Sequence, residues 1–255
     1  MANAPSFQIY ALQGVPMVQE DDDLVAIIRD ALTASGFELV DGDIIVMASK
    51  IVSKAQGRLV ALEDVVAGEE AVQVAAEVGK DPRIVELILS ESRGISRMRR
   101  GVLITEHMQG FVSANSGVDA SNVGEKDSVL LLPKKPDEVA HRIRIRLKHL
   151  TGADVAIVIT DTHGRPFRLG NIGVALGVAG MEALWDRRGE TDLFGREMIA
   201  TVMGYGDMVA SAAHLVMGEG AEGLPLVLIR GLAFPKGDGK ASVLNRPPEM
   251  DMYQV

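Results

Sequence analysis

The order of apolar and polar positions along this chain predicts a fold that mixes strands with helices. Short apolar runs bounded by turn-forming residues are typical of buried strands, because side chains of a strand point alternately to its two faces. Such runs, some of only about four residues, predict strands at residues 7–12, 44–48, 102–105, 110–113, 128–132, 155–159 and 225–230.

Helical periodicity marks most of the segments between these strands. Three aspartates at 21–23 precede a helix that continues to about residue 33, and further helices are predicted at 69–78, 81–90 and 196–217. Residues 136–150 fit a helix, although 142–147 also alternate like a strand, and the Asp-Glu pair after Pro136 favours the helix. There is no internal repeat, no long linker and no regular βαβ rhythm. The pattern therefore indicates an α/β or α+β fold with mixed sheets.

Composition narrows the class of protein. The chain has 255 residues, 47% of them apolar, so a sizeable core can form. The net charge of −9 argues against general nucleic-acid binding, which requires basic residues to neutralise phosphates. The absence of cysteine excludes disulfides, thiolate nucleophiles and cysteine-ligated metals. The N-terminus lacks a signal-peptide pattern, and the apolar stretch 169–185 is too short and too polar for a bilayer, so we expect a cytoplasmic protein without membrane contact.

The densest group of chemically active side chains follows the predicted strand at 155–159. Its members are Asp161, Thr162, His163, Arg165 and Arg168. A carboxylate, a hydroxyl, an imidazole and two guanidiniums at one strand end suit a metal-bound, phosphate-bearing substrate better than they suit a core. His163 is either a general base or a turn residue. We therefore expect the site to be built around the end of this strand.

Asp161 and two further acidic residues, Asp119 and Glu219, stand at plausible loop positions and are candidate metal ligands. Hard divalent cations such as Mg²⁺ and Mn²⁺ prefer carboxylate oxygens combined with nucleotide phosphates, and carboxylates distant in sequence can converge in space. Each acidic residue taken singly is also an ordinary turn residue. Asp161 is the strongest candidate because of its neighbours.

Lys50 and Lys54 follow the strand predicted at 44–48. If a helix begins at Ser49, its free N–H groups and these two lysines, which are four residues apart and on one face, form an anion site. The alternative is a solvated helix start with extended lysines, and the spacing alone favours that alternative.

A glycine-rich segment at 217–224 lies between a predicted helix and a predicted strand. It is not a P-loop, because it lacks the Gly-Lys-Ser/Thr ending. Gly218 alone would serve as a helix C-cap, but the further glycines allow the segment to wrap closely around a nucleotide. Asn122 either hydrogen-bonds a base or ribose or belongs to a turn. The residues by themselves indicate a metal-dependent enzyme that acts on phosphate-bearing substrates.

Several segments, in one order along the chain, resemble the coenzyme F-420-0:L-glutamate ligase family, the γ-glutamyl ligases of the deazaflavin coenzyme. The resemblance extends from Gly14 to Leu232. The segments that carry it are DGD at 41–43, SKIVSKAQGR at 49–58, KDPR at 80–83, NSGVDASNV at 115–123, ITDTHGR at 159–165, DLFGRE at 192–197 and MGEG at 217–220.

The resemblance implies GTP-dependent ligation of L-glutamate to a carboxylate of the F-420 precursor, with two divalent cations, Mn²⁺ or Mg²⁺, and K⁺ as a further candidate. Carried over by position, the metal ligands are Asp119, Asp161, Thr162 and Glu219. The residues that bind GTP are Val15, Pro16, Met17, Val18, Ser49, Lys50, Lys54, Asn122, Met217, Gly218, Glu219, Gly220, Ala221, Glu222, Gly223 and Leu224.

The resemblance also implies a fold and an assembly. Residues 1–255 are expected to form one γ-glutamyl ligase domain with two subdomains, without the C-terminal nitroreductase-like domain of some relatives. The expected assembly is an intertwined homodimer.

The chemistry expected of such a ligase follows from the need to activate a carboxylate. Our hypothesis is that the γ-phosphoryl group of GTP passes to the acceptor, and that the glutamate amine then displaces phosphate from the acyl phosphate. Phosphoryl transfer depends on charge neutralisation and alignment, to which Lys50 and Lys54 would contribute. Arg165 is the third candidate catalytic residue beside the two lysines, and Arg165 and Arg168 would hold either the acceptor's phosphodiester or the glutamate carboxylates by bidentate bonds.

Three alternatives compete with this hypothesis. The same carboxylates would serve a metal-dependent phosphohydrolase, and a related metal-dependent amide ligase would use another carboxylate acceptor. A non-catalytic nucleotide-binding module is the third alternative, and the clustering of three candidate ligands disfavours it.

Overall fold

The computed structural model describes residues 5–123 and 127–251 of the chain. The helices are α1 (Leu24–Ala34), α2 (Ser49–Ala55), α3 (Glu69–Val78), α4 (Pro82–Ser90), α5 (Pro136–Thr151) and α6 (Tyr205–Met217). The strands are β1 (Gln8–Ala11), β2 (Ile44–Ala48), β3 (Leu59–Ala61), β4 (Ser92–Arg99), β5 (Val102–His107), β6 (Val112–Ala114), β7 (Ser128–Leu130), β8 (Ala156–Arg165), β9 (Arg168–Ala179), β10 (Leu184–Asp186), β11 (Val202–Gly204) and β12 (Leu226–Arg230).

A five-stranded mixed sheet lies at the centre of the molecule. Its strand order is β1-β12-β2-β8-β9; the β2–β8 pair is parallel and the other three pairs are antiparallel. Because side chains alternate along a strand, Ile45 and Ile157 face a core shared with α1, α2 and α5, whereas Val46 and Val158 face a core shared with α6. The sheet is therefore covered by helices on both faces. The predicted α/β fold class with mixed sheets is confirmed.

A third hydrophobic core lies outside this sheet. It contains the buried faces of α3 and α4, together with Leu103 from β5 and Val129 from β7. Strands β4, β5 and β6 form one antiparallel sheet, and β3 pairs with β7. Between β6 and β7 the chain passes through the turn Asn115–Gly117 and then through Asp119, which pairs with Leu130 of β7. It thus delivers Asp119 toward the central sheet.

The helix boundaries have local causes that the sequence shows. The Asp23 side chain accepts the Val25 N–H at the start of α1, and Asp81 does the same for Arg83 at the start of α4. Helix α5 begins with proline followed by two acidic residues, which favour a helix N-terminus, and it ends at Gly152 in a left-handed conformation. The helical interpretation of residues 136–150 is confirmed.

The strand predicted at 110–113 lies at Val112–Ala114, the one predicted at 128–132 ends at Leu130, and two other elements differ more in extent. The strand predicted at 155–159 continues to Arg165, because β9 pairs with β8 along this whole length and supplies the hydrogen-bond partners. The helix predicted at 196–217 begins at Tyr205, because residues 202–204 form β11 and pair with β10. Strands β3, β4, β9, β10 and β11 were not predicted, since pairing with distant partners stabilises them more than their own pattern does.

The helices described in the two ranges above include none that is long and apolar enough to cross a membrane.

Candidate functional site

Strand β2 leads directly into α2, and its parallel neighbour β8 carries Asp161. In the register of this pair, Ala48 lies opposite Thr160. The next residues along the two strands are therefore also neighbours, and Ser49 Oγ donates a hydrogen bond of 2.9 Å to Asp161 Oδ1. Asp161 Oδ2 lies 3.4 Å from His163 Nε2. The register of the sheet thus places this carboxylate beside the start of α2.

Lys50, one residue into α2, reaches Asp119. Its Nζ lies 2.7 Å from Asp119 Oδ2 and donates to the carbonyl oxygen of Ser121 at 3.0 Å. Asp119 also accepts hydrogen bonds from the backbone N–H and the hydroxyl of Ser121, at 2.7 and 2.9 Å. Burial alone would raise the pKa of Asp119, but the bonds from Lys50 and Ser121 outweigh it and lower that pKa below its usual value. Asp119 is therefore a firmly ionised carboxylate.

Lys54 lies one helical turn from Lys50 and faces the same space. Its Nζ donates to the carbonyl oxygen of Asn122 at 3.3 Å. Burial, and secondly the positive charge of Lys50, lower the pKa of Lys54. Because two ammonium groups repel each other here, an anion placed between them would stabilise both charges.

The glycine-rich segment follows α6 as a tight loop. Gly218 caps the helix with a φ of 73°, and a Cβ at this position would collide with the carboxylate of Glu222. That carboxylate accepts the Gly220 N–H at 2.7 Å, and the Gly220 carbonyl oxygen accepts from Asn122 Nδ2 at 3.0 Å. Glycine at 218 is therefore needed for the backbone conformation, whereas the flexible Glu222 side chain could move away from a Cβ.

Glu219 projects from this loop toward β8. Its Oε1 accepts a hydrogen bond from Thr162 Oγ1 at 2.9 Å and lies 2.9 Å from His214 Nδ1. The other ring nitrogen of His214 lies 3.1 Å from Thr160 Oγ1. Hydrogen bonds between side chains thus link β8 to the end of α6 and to the loop that follows α6.

These groups surround one cavity of about 850 Å³. That volume falls within the range of roughly 300–1,000 Å³ typical of pockets for nucleotide-sized ligands. Its walls come from residues 15–18, 48–51, 54, 114–115, 117–119, 121–122, 160–162, 171, 214 and 217–225. The cavity therefore lies where the central sheet, α2, the turn after β6 and the glycine-rich loop meet.

The donor atoms around the cavity decide which metal would fit it. Asp119, Asp161 and Glu219 offer carboxylate oxygens and Thr162 a hydroxyl, which match Mg²⁺ or Mn²⁺ rather than a soft metal. Within residues 5–123 and 127–251, no group of three or more His, Asp or Glu side chains is arranged to hold a metal ion. A hard cation here would therefore be held by one or two of these carboxylates, with phosphate oxygens and water completing its coordination.

Known proteins are similar to this sequence over most or all of its length. The family described as F420-0:gamma-glutamyl ligase matches residues 14–231. The chain belongs to this family. A coenzyme F420:L-glutamate ligase of Methanothermobacter thermautotrophicus is 44% identical over 248 residues, which cover 96% of this chain and 98% of the relative. Proteins of the same name from Methanocaldococcus jannaschii and Methanopyrus kandleri are 46% and 42% identical, covering 86% and 100% of this chain and 87% and 100% of their own lengths. The protein is accordingly a ligase.

The ligase brings together the residues that the sequence assigned to metal and GTP. All of them line the 850 Å³ cavity: Val15, Pro16, Met17, Val18, Ser49, Lys50, Lys54, Asp119, Asn122, Asp161, Thr162 and Met217, Gly218, Glu219, Gly220, Ala221, Glu222, Gly223 and Leu224. Their common location agrees with a shared function, while their individual roles stay predictions.

Two placements differ from expectation. Asp161 does not stand in a loop at a strand end but inside β8, because the strand is longer than its apolar run. Arg165 is at the far end of β8, where one of its terminal guanidinium nitrogens donates to the Leu169 carbonyl oxygen at 3.1 Å, and it does not line the cavity. Arg168 begins β9 beside it. The catalytic assignment of Arg165 therefore stays a prediction.

His214 was not singled out from the sequence, although the pattern contains a signal for it. It lies on α6 four residues after Ala210 and three before Met217, so it shares the buried face of the helix. A histidine at such a position needs polar partners. Those partners, Thr160 and Glu219, are identified only by the tertiary structure.

Proposed function

We propose that this ligase joins L-glutamate to the deazaflavin precursor F-420-0 and uses GTP to drive the reaction. The printed names of the three relatives support the amino acid and the coenzyme. The observation that carries the proposal is one cavity whose lining includes Asp119, Asp161 and Glu219 together with two lysines and a glycine-rich loop. Glutamate is added by a γ-linkage when the addition is repeated.

The proposed reaction has two steps. In the first, a carboxylate oxygen of the acceptor forms a bond to the γ-phosphorus of GTP while the bond from that phosphorus to GDP breaks. In the second, the glutamate amine attacks the acyl carbon, the bond from that carbon to phosphate breaks, and one proton is released with the phosphate. An amide bond, GDP and phosphate result. Neither step requires a covalent bond to the protein.

The chain's own residues would bind and align GTP. Lys50 and Lys54 would neutralise phosphate charge, and the loop at 217–224 would lie close to the phosphates because its glycines carry no side chain. Helix α2 has only seven residues, so we attribute anion binding there to the lysines. Asn122, held by the Gly220 carbonyl oxygen, would fix the loop against the nucleotide.

Asp119, Asp161, Thr162 and Glu219 would hold two divalent cations, Mn²⁺ or Mg²⁺. When bound, the cations would neutralise the triphosphate and keep its reacting end aligned. The proposal also includes K⁺ as a further cation. Arg165 and Arg168 would hold either the acceptor's phosphodiester or the glutamate carboxylates.

The proposed assembly is a homodimer with two subdomains in each chain. Large apolar side chains are exposed on the β8–β9 hairpin and on the segment that includes β10 and β11. They are Phe167, Leu169, Leu193, Phe194 and Ile199. A second copy of the chain that covers these two segments would remove them from water.

Mass spectrometry of the product tests the proposed function. The protein is incubated with GTP, Mn²⁺, L-glutamate and F-420-0, and we expect a mass gain of whole glutamyl units. Phosphate release without acceptor or glutamate would instead indicate a phosphohydrolase. GTP turnover that requires a different carboxylate acceptor would indicate a related amide ligase, and GTP binding without any turnover would indicate a binding module.

Asp161→Asn tests the metal assignment. We expect the variant to fold normally and to lose metal-dependent GTP turnover by at least about 100-fold, because replacing even a residue that supports a metal ligand typically costs 10–100-fold. Circular dichroism and a phosphate-release assay are the measurements. Asp238→Asn, at an exposed position away from the cavity, is the matched control and should retain activity. Normal turnover by Asp161→Asn would contradict the assignment.

A further inference from the structure

We propose that His214, packed against Gly173, positions Glu219 for cation binding. This inference rests on the proposed function, since it takes Glu219 as a cation ligand. The side chain of His214 is 12% exposed and that of Glu219 is 55% exposed. A largely buried ring thus supports a carboxylate that reaches into the cavity.

The backbone of the loop is held through Gly220, but the adjacent residues do not hold the side chain of Glu219. Its neighbours Gly218 and Gly220 have no side chains that could pack against the cavity wall. Its Oε1 is held at 2.9 Å by Thr162 Oγ1 and at 2.9 Å by His214 Nδ1. Because an ionised carboxylate can only accept hydrogen bonds, the ring nitrogen must be the donor. His214 is therefore one of two side chains that fix the direction of this carboxylate.

His214 is in turn anchored to the central sheet. Its Nε2 lies 3.1 Å from the hydroxyl of Thr160, a residue of β8 that is almost wholly buried. That hydroxyl also lies 2.9 Å from the Val174 carbonyl oxygen on β9, so its one proton points either to this oxygen or to His214 Nε2. The ring therefore has a fixed orientation, which is what an outer partner of a metal ligand requires.

Gly173 provides the space for the ring. It lies on β9 opposite Thr162. A Cβ built on Gly173 would overlap the Cδ2 atom of His214 and lie 2.7 Å from the Ala210 carbonyl oxygen. Both conflicts arise from packing, since the Cβ would meet the ring and the backbone of α6. The chain of contacts Gly173–His214–Glu219 thus runs from the sheet to the cavity.

Binding of Mn²⁺ to the whole protein, followed by the electron paramagnetic resonance signal of free Mn²⁺ with a non-hydrolysable GTP analogue present, tests this role. We expect His214→Leu, which fills the space but cannot donate, to weaken Mn²⁺ affinity roughly 10–100-fold. His214→Asn, whose amide can donate from near the position of Nδ1, should recover most of the affinity. Gly173→Ala should weaken Mn²⁺ binding as His214→Leu does.

Gly164→Ala is the matched control on the same hairpin, because the nearest atom to its Cβ would be Asn171 Oδ1 at an ordinary 3.7 Å. It should bind Mn²⁺ like the unaltered protein. Wild-type affinity in His214→Leu, or an Asn variant as weak as the Leu variant, would overturn the inference. If Gly173→Ala does not fold, the two His214 variants still decide the matter. Failure of the unaltered protein to bind Mn²⁺ would contradict the proposed metal site instead.

Discussion

Glu91 shows how strongly buried partners can shift the proton affinity of one side chain. The ring of His107, with Nε2 3.7 Å from Glu91 Oε2, and the Arg58 guanidinium, 2.6 Å away, both favour the ionised carboxylate. Although burial acts in the opposite direction, they lower the pKa of Glu91 from 4.5 to about 2. Arg58 also donates to the Leu132 carbonyl oxygen at 3.1 Å. Ionised Glu91 therefore stabilises the region next to α2.

Stability should follow the protonation of Glu91. A carboxyl group whose pKa is lower in the folded state stabilises the fold above its unfolded pKa, and that contribution is lost as pH falls from about 4.5 to about 2. At pH 7 we expect Glu91→Gln to lower the free energy of unfolding by about 3 kcal/mol. The difference from the unaltered protein should shrink toward zero near pH 2. Urea unfolding at several pH values measures it.

Glu106→Gln is the control for this prediction. Glu106 pairs with Arg93 at 3.0 Å, but both side chains are more exposed than those of the Glu91 pair. Exposed pairs contribute about 0–1 kcal/mol, so the control should change stability little at any pH. A pH-independent difference for Glu91→Gln would contradict the link between this carboxyl and acid stability.

The two halves of strand β8 differ in sequence and in function. Its first residues are apolar and buried on both faces between the helices. From Thr160 onward the strand becomes polar, and the register shifts between Ile159 and Thr160. Asp161 and Thr162 then face the cavity while β9 continues to supply backbone partners. The same element therefore anchors the core and presents the candidate ligands.

The buried half of β8 should be the more sensitive half for folding. Ile157 is fully buried, so Ile157→Ala removes core contacts and leaves a cavity, and we expect a loss of about 2–5 kcal/mol in the free energy of unfolding. Leu215→Ala removes a similar side chain from an 82% exposed position on α6 and should change stability by less than about 0.5 kcal/mol. Thermal and urea unfolding measure both. Equal losses would contradict this account of the core.

At the scale of the whole molecule, large apolar side chains are exposed although the chain carries a high net charge. The net charge is −9, yet Phe167 is 88% exposed and Leu169 is 98% exposed at the β8–β9 hairpin. Large contiguous apolar surfaces on soluble chains commonly mark interfaces. This is the observation behind the proposed homodimer.

Introducing charge at the hairpin tests that assembly. In sedimentation experiments we expect the unaltered protein to have twice the chain mass of 27.2 kDa, and the double variant Phe167→Asp with Leu169→Asp to be a monomer. Val66→Asp, at another exposed apolar position outside the hairpin, should remain a dimer. A monomeric unaltered protein, or a charged variant that still dimerises, would contradict the proposed interface.

Local patterns predicted those parts of the structure that depend on neighbouring residues. The strand at 44–48 and the helix at 69–78 have the predicted limits, and Gly218 ends α6 as a capping glycine should. Strand β9 was missed because its glycines obscure a strand pattern. Glycine is required in β9 because of packing against a distant segment, since a Cβ at Gly177 would lie 2.5 Å from the Pro136 carbonyl carbon.

The sequence by itself determined which residue types are available to the site and the elements that carry most of them. The resemblance to a ligase family, which rests on several motifs in one order, identified the candidate residues without any knowledge of their contacts. Only the tertiary structure decided that Ser49 meets Asp161 across 112 residues of sequence and that Glu219 meets Thr162 across 57. The physical reason is that periodicity depends on near neighbours, whereas strand register and side-chain packing, including the contact of His214 with Gly173, depend on segments that become neighbours only in the folded chain.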